Sequence, residues 1–277
     1  FNGGIMEIRF DNVSYLDKIK NMTYTFCDNK ITTIIGASGS GKTLISYLIT
    51  GLINPSEGTI TIGNNVIDKN TKDFKDIRRD IGYVFQNPEE QFFTNSVKEE
   101  LEFSLKKYKY RLDKLDKRVI DALKLVGLPL EYLTRSPFSL SGGEKEKLSI
   151  AIALSLNPKV LILDEPTVYL DDKSVNDLVS LLIKLRERYH KTIIILTNDN
   201  YFLEQVSDKI LLIKNGKIKL DIFKEEFIDN IDKIKKSGLE IPKILEFITF
   251  VEKNKNIKLT HTLDMDILIR EIANEYK

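Results

Sequence analysis

Apolar positions along this chain fall into short solid runs and longer periodic stretches. Ile31–Ile35, Val160–Asp164, Thr192–Leu196 and Ile210–Ile213 are almost wholly aliphatic or β-branched, and Ile81–Phe85 is a short apolar run with aromatics. Such runs predict strands covered on both faces, as in a parallel sheet. Glu7–Val13 adds a further strand, and Thr-Ile-Thr-Ile after Gly58 another, bounded by Pro55 and by Gly63-Asn64. Asn215-Gly216 between Leu211–Lys214 and Lys217–Leu220 is a two-residue hairpin signal. Between these runs the period lengthens. Leu115, Val119, Leu123 and Val126 recur at helical spacing, as do Val175, Leu178, Leu182 and Leu185, while Leu44–Leu52 and Glu144–Leu156 read as continuous helices. From about Phe223 no clear strand follows, only helical spacings at Ile241, Ile244, Leu245, Ile248 and Val251 and a stretch over Leu263–Ala273. Strands alternating with helices predict an α/β core over 6–222, with a helical extension over 223–277.

Composition changes this picture little. A chain of 277 residues buries a real core without covalent staples. Cys27 is the lone cysteine, excluding an internal disulfide, and reads as a small buried side chain. Lys+Arg 42 against Asp+Glu 41 leaves +1, which argues against a nucleic-acid partner. Lys106–Arg118 is locally basic and reads as a solvated helix face. No apolar run approaches the ~20 residues of a membrane helix. Residues Phe1–Ile5 precede Met6 and are set aside, as an added leader or the end of a longer upstream chain.

The chemistry lies in three segments. Gly36-Ala-Ser-Gly-Ser-Gly-Lys-Thr43 follows a strand and opens a helix, the context that makes GxxxxGK[ST] a phosphate-binding loop rather than a plain glycine turn. Gly36, Ser38, Gly39, Ser40 and Gly41 bring backbone N–H groups toward phosphate oxygens, Lys42 reaches the β- and γ-phosphates of a nucleotide, and the Thr43 hydroxyl ligates Mg²⁺. Val160–Asp164 delivers Asp164 and Glu165 at a strand's C-terminal end, where α/β sheets bind ligands. Asp164 is placed to hold the magnesium, and Glu165 to act as general base on the attacking water. Ser141-Gly142-Gly143 then opens a second anion-binding helix start. One chain cannot easily fold both helix starts onto one phosphate chain, so two chains arranged head to tail are the economical solution.

In these segments and their order, the chain resembles the nucleotide-binding subunit of an ABC transporter, from about Glu7 to Leu220. The resemblance implies a P-loop NTPase of the ABC ATPase type. Such a fold has an antiparallel β subdomain, a helical signature subdomain inserted over about 88–157, and here the helical extension. It implies that Tyr15 stacks on adenine, and that Gln86 touches magnesium and the attacking water. Asp171 lies on the loop that crosses between subunits, while Ser141, Gly142 and Gly143 contact the opposite subunit's γ-phosphate. Gln86-Asn-Pro-Glu-Glu-Gln-Phe-Phe93 is similar to the energy-coupling-factor type, which imports vitamins or transition-metal ions. There two ATPases sit beneath a transmembrane coupling protein and a substrate-binding membrane protein, peripheral on the cytoplasmic face. The extension would contact the second ATPase, for which a paralogue is favoured over a second copy of this chain.

One position departs from the family. After Thr192–Leu196, where the switch histidine belongs, stands Asn198. His190 and His261 lie elsewhere and read as surface or helix-end residues. An asparagine amide is shorter and always neutral. The expectation is therefore a slow or mainly ATP-binding site on this chain, with its signature loop completing a faster site on the partner. Glu144, where glutamine is usual, adds charge near an anion. Two rival readings stand: a soluble ABC-type ATPase not tied to transport, and a nucleotide-binding regulator with little hydrolysis.

Overall fold

The computed structural model describes residues 6–255, 259–260 and 265–275. Ten strands and ten helices are present among them. Four strands, β1 (Ile8–Tyr15), β2 (Ile19–Phe26), β4 (Glu57–Ile62) and β5 (Asn65–Ile67), form an antiparallel sheet in the order β2-β1-β4-β5. The other six are β3 (Ile31–Ile35), β6 (Ile81–Val84), β7 (Val160–Asp164), β8 (Thr192–Leu196), β9 (Lys209–Lys214) and β10 (Lys217–Phe223). They form a second sheet in the order β10-β9-β3-β8-β7-β6, parallel except for β10. Every residue of β3, β7 and β8 is buried, which is why those runs carry no polar alternation.

The helices are α1 (Lys42–Thr50), α2 (Lys75–Asp80), α3 (Val97–Lys107), α4 (Leu115–Leu125), α5 (Gly142–Ser155), α6 (Asp172–Tyr189), α7 (Asn200–Val206), α8 (Ile231–Lys236), α9 (Lys243–Lys255) and α10 (Met265–Glu275). None among the described residues is long and apolar enough to cross a membrane. Helices α3, α4 and α5 pack on one another over a shared core that includes Leu101, Val119, Leu123 and Leu148. Arg118 of α4 donates to the carbonyls of Leu154 and Ser155, satisfying acceptors that the end of α5 leaves open. Past β10, Phe227, Ile231, Ile234, Leu245 and Ile248 share a third core with Ile35 of β3 and Leu203 of α7.

Several elements differ from the sequence reading. β2 is absent from it because Ile19, Met22 and Phe26 point inward at spacings of three and four. The cause is a bulge in the β1–β2 ladder, where Asn12 and Asn21 take φ of 50° and 46°. Helix α3 is missed because buried Glu100 interrupts its apolar face. That carboxylate accepts the N–H groups of Phe93 and Thr94 at 2.6 and 2.5 Å. Ser96 caps α3 through the Glu99 N–H, a Ser-x-x-Glu signal visible in the sequence. β10 runs on through Phe223, beyond the Leu220 at which the hairpin strand was expected to end. Cys27 is half-buried rather than buried. His190 ends α6 in the left-handed region at φ 50°, a helix-end residue as expected. Phe1–Ile5, His261 and the first two residues of the Leu263–Ala273 stretch lie outside the described residues.

Candidate functional site

The loop between β3 and α1 wraps the mouth of a cleft of about 700 Å³. Gly41 caps α1 at φ 108°, a conformation that glycine alone adopts cheaply, and so Lys42 begins the helix facing inward. The β9–β10 turn braces the loop from outside. Gly216 donates to the Ser40 carbonyl at 3.0 Å and accepts from the Lys20 N–H at 3.1 Å. At φ 72°, Gly216 also lies so close to β2 that a Cβ would fall 1.9 Å from the Lys18 carbonyl oxygen. The predicted hairpin thus does more than reverse the chain; it presses the phosphate-loop candidate toward β2.

Along the cleft stand Tyr15, Ser38, Gly39, Ser40, Gly41, Lys42, Thr43, Gln86, Asp164, Glu165 and Asn198. The Lys42 ammonium donates to the Gly36 carbonyl. Burial lowers its pKa, and the facing carboxylates of Glu165 and Asp164 push it back up. Asp164 is buried, and burial raises its pKa against the hydroxyls of Thr43 and Tyr83 and the charge of Lys42. Tyr83 donates to Asp164 Oδ2 at 3.2 Å and shares a 3.1 Å hydrogen bond with Ser46. Glu165 takes the left-handed region at φ 49°, with its N–H donating to the Leu196 carbonyl at 2.8 Å. Such strain at a non-glycine residue costs energy and turns the carboxylate out of the strand direction. Burial raises the Glu165 pKa most, while the Thr197 hydroxyl, donating to Oε2 at 2.9 Å, and the Asn198 N–H hold it down. The Asn198 side chain accepts from the Gly36 N–H at 3.1 Å.

These residues fit a magnesium-bound nucleoside triphosphate. The buried Ser40 hydroxyl oxygen has no partner among the described residues, within the unbroken run 37–44 that lines the cleft. Thr43, Gln86 and Asp164 offer hard oxygen donors of the kind magnesium takes.

Ser141, Gly142, Gly143 and Asp171 do not line this cleft. Ser141 caps α5 in a full capping box: its hydroxyl accepts from the Glu144 N–H, and Glu144 Oε2 accepts from the Ser141 N–H at 2.8 Å. Tyr132 donates to the other Glu144 oxygen at 2.8 Å. These bonds keep the Glu144 pKa low, so its charge is spent on the helix start and does not hang free beside an anion. A Cβ on Gly142 would sit 3.3 Å from Tyr169, so the glycine pair and the loop running to Asp171 lie side by side. Asp171 caps α6 by accepting from the Ser174 N–H at 2.8 Å. The chain therefore carries a nucleotide-shaped cleft on one face and an exposed, pre-ordered helix start on another.

The sequence reading missed Tyr83 and Thr197, which bond to Asp164 and Glu165. No motif marks them, because each meets the site only through a neighbouring strand.

Comparison with known proteins accords with this arrangement. Residues 19–168 match the ABC transporter family model. The Energy-coupling factor transporter ATP-binding protein EcfA2 of Bacillus cereus is 33% identical over 97% of this chain and 96% of its own. EcfA1 of Ureaplasma parvum is 34% identical over 98% of this chain and 92% of its own. Among solved structures, cbiO1 of Clostridium perfringens, part of the ABC transporter complex cbiONQ, superposes with TM-score 0.74 at 30% identity, covering 88% of this chain and 99% of that one. A dimeric post-hydrolysis ATP-binding cassette bound to ADP and phosphate superposes with TM-score 0.71 at 29% identity, covering 78% and 98%.

Proposed function

The chain belongs to the ABC transporter family, among the energy-coupling factor transporter ATP-binding proteins, and from that premise we propose that it is one of two facing ATPases driving a membrane importer. It is an ATPase. Tyr15 stacks on the adenine, and Lys42 holds the phosphates with backbone N–H groups of the loop beyond Gly36, whose own N–H goes to Asn198. Thr43, Asp164 and Gln86 would hold Mg²⁺, which supplies charge to offset the β- and γ-phosphates. Glu165 takes the proton of the attacking water, and burial, by raising its pKa, makes it a stronger base than a solvated carboxylate. The observation that supports two chains is that Ser141–Gly143 form an ordered helix start, exposed at Ser141 and Gly142, that does not line their own cleft. They reach the γ-phosphate of the facing subunit, with Asp171 on the crossing loop beside them. ATP favours closure because its terminal phosphate touches both chains. Closing and reopening move the segment after Gln86, which grips the transmembrane coupling protein. Residues 223–277 add a second contact to the neighbouring ATPase. The importer takes up a vitamin or transition-metal ion through a separate substrate-binding membrane protein, with this chain peripheral on the cytoplasmic face.

Within that pair we assign this chain the slower site, and a paralogue as partner, because Asn198 offers a short neutral amide where an aimed donor is needed. Asn198→His is expected to raise steady-state ATP turnover of the purified chain at least tenfold, since a missing donor at a transition state costs on the order of 10²–10³ in rate. Brisk turnover by the unmodified chain alone, or no gain in the variant, overturns the asymmetric assignment and leaves the ATPase reading intact.

The base has its own test. Removing the hydroxyl that holds the Glu165 pKa down raises it further, so Thr197→Val moves the acid limb of the pH profile of kcat/KM to higher pH. An unmoved limb means that Glu165 is not the group titrating.

A further inference from the structure

The segment after β8 is held at four points. Thr197 donates to Glu165 Oε2, and Asn198 accepts from the Gly36 N–H. Asp199 accepts from the Thr167 hydroxyl at 3.0 Å. The fourth tie leaves the nucleotide-binding fold: Asn200 Nδ2 donates to the backbone carbonyl of Glu240 at 3.1 Å. Glu240 lies in the irregular stretch between α8 and α9, in the helical extension. That stretch, Ser38, Asn198 and Asn200 line an open pocket of about 370 Å³ on the flank of the phosphate-binding loop.

The extension is anchored on both sides of this tie. Ile234 and Ile241, which bracket the stretch, are buried in one core with Ile35, the residue before Gly36, and with Leu203 of α7. Lys214 also donates to the Lys236 carbonyl at 2.9 Å. Interiors of this kind are close-packed and transmit displacement instead of absorbing it. A shift of the 238–240 stretch is therefore passed to α7, and through it to the two residues that touch Gly36 and Glu165.

We infer that Asn200 is a positioning residue for the γ-phosphate side of the site, and that through it the C-terminal extension sets where Asn198 stands relative to the phosphate-binding loop. The amide of Asn200 replaces a covalent link. It ties the extension, which on the functional reading above touches the neighbouring ATPase, to a part of the cleft on the γ-phosphate side. The extension is then part of the hydrolytic site and not an appendage to it. This inference rests on the reading of the cleft as an ATP site.

Nucleotide titration with fluorescent ATP and ADP analogues tests it on the full chain. Asn200→Ala removes the donor, and Asn200→Asp keeps the shape while presenting an acceptor to the Glu240 carbonyl. Both are expected to lower the preference for ATP over ADP three- to tenfold, with ADP affinity unchanged within twofold. Hydrogen exchange at the Gly36 amide is expected to quicken at least fivefold in both, because its acceptor, Asn198, is no longer held. A merely structural role for Asn200 would weaken ATP and ADP equally. That result, or an unchanged preference with unchanged Gly36 exchange, overturns the inference. A wild-type chain that binds neither nucleotide overturns the ATP reading itself, and this inference with it.

Discussion

Glu165→Gln is expected to cut ATP turnover by about 10²–10⁴, the usual contribution of a positioned general base. The substitution preserves shape and an acceptor for the Thr197 hydroxyl, so the left-handed turn after β7 keeps its hydrogen bonds. It also has a defined sign on stability. Folding raises the Glu165 pKa above the ordinary carboxylate value, chiefly by burial, so the folded state loses stability as pH rises through that raised value. A neutral amide escapes this cost, and the thermal midpoint at neutral pH should stay level or rise. Loss of activity with a maintained midpoint thus separates chemistry from unfolding. The same variant should accumulate the ATP-bound pair: light scattering should report a dimeric mass with Mg-ATP, alone or mixed with the partner ATPase, and a monomeric mass with ADP. Turnover within tenfold of wild type removes Glu165 from the mechanism. A strictly monomeric mass in every mixture removes the facing pair.

The second large effect concerns the other face of the molecule. Ser141→Arg is expected to bring partner-stimulated hydrolysis down to the unstimulated level, a loss above 10²-fold, while ATP binding to this chain's own cleft is unaltered. Ser141 does not line that cleft, so a long cation there cannot disturb the nucleotide bound beside Lys42. It would instead fill the exposed space at the start of α5 that a facing γ-phosphate must enter. The lost cap destabilises the helix start by about 1 kcal/mol, a cost visible in the thermal midpoint but too small to unfold the chain. Binding of a fluorescent ATP analogue, measured beside hydrolysis of the mixed assembly, separates the two faces. Undiminished stimulated turnover shows that the signature loop meets no phosphate, and the sandwich fails.

How legible the site was depends on how its residues are spaced in the chain. Gly36–Thr43 and Asp164-Glu165 are contiguous, and each sits at the end of an apolar run, so spacing and composition announce them together. Tyr83, Thr197 and Asn200 have no such marker. Tyr83 lies inside a strand and meets Asp164 because β6 pairs with β7 in register, Tyr83 opposite Ile162. Thr197 reaches Glu165 because β8 lies beside β7. Asn200 meets Glu240 across 40 positions of chain, after α7 and the extension have packed on a shared core. The same holds for the missed elements: β2 is hidden by a bulge, which shifts its inward positions away from strict alternation, and α3 by a buried carboxylate whose partners are backbone N–H groups.

By itself, then, the amino-acid order determined which segments become strands of the parallel sheet, where a phosphate loop interrupts them, and where two carboxylates leave the sheet. These are local properties, written in periodicity and in glycines that permit rare backbone angles. The order β10-β9-β3-β8-β7-β6 decided the rest. It set β8 between the phosphate-loop strand and the carboxylate strand, and so brought Asn198 onto Gly36 and Thr197 onto Glu165. Long-range pairing of this kind is carried by no single segment, because each contact depends on surfaces that exist only once the layers have closed around one core.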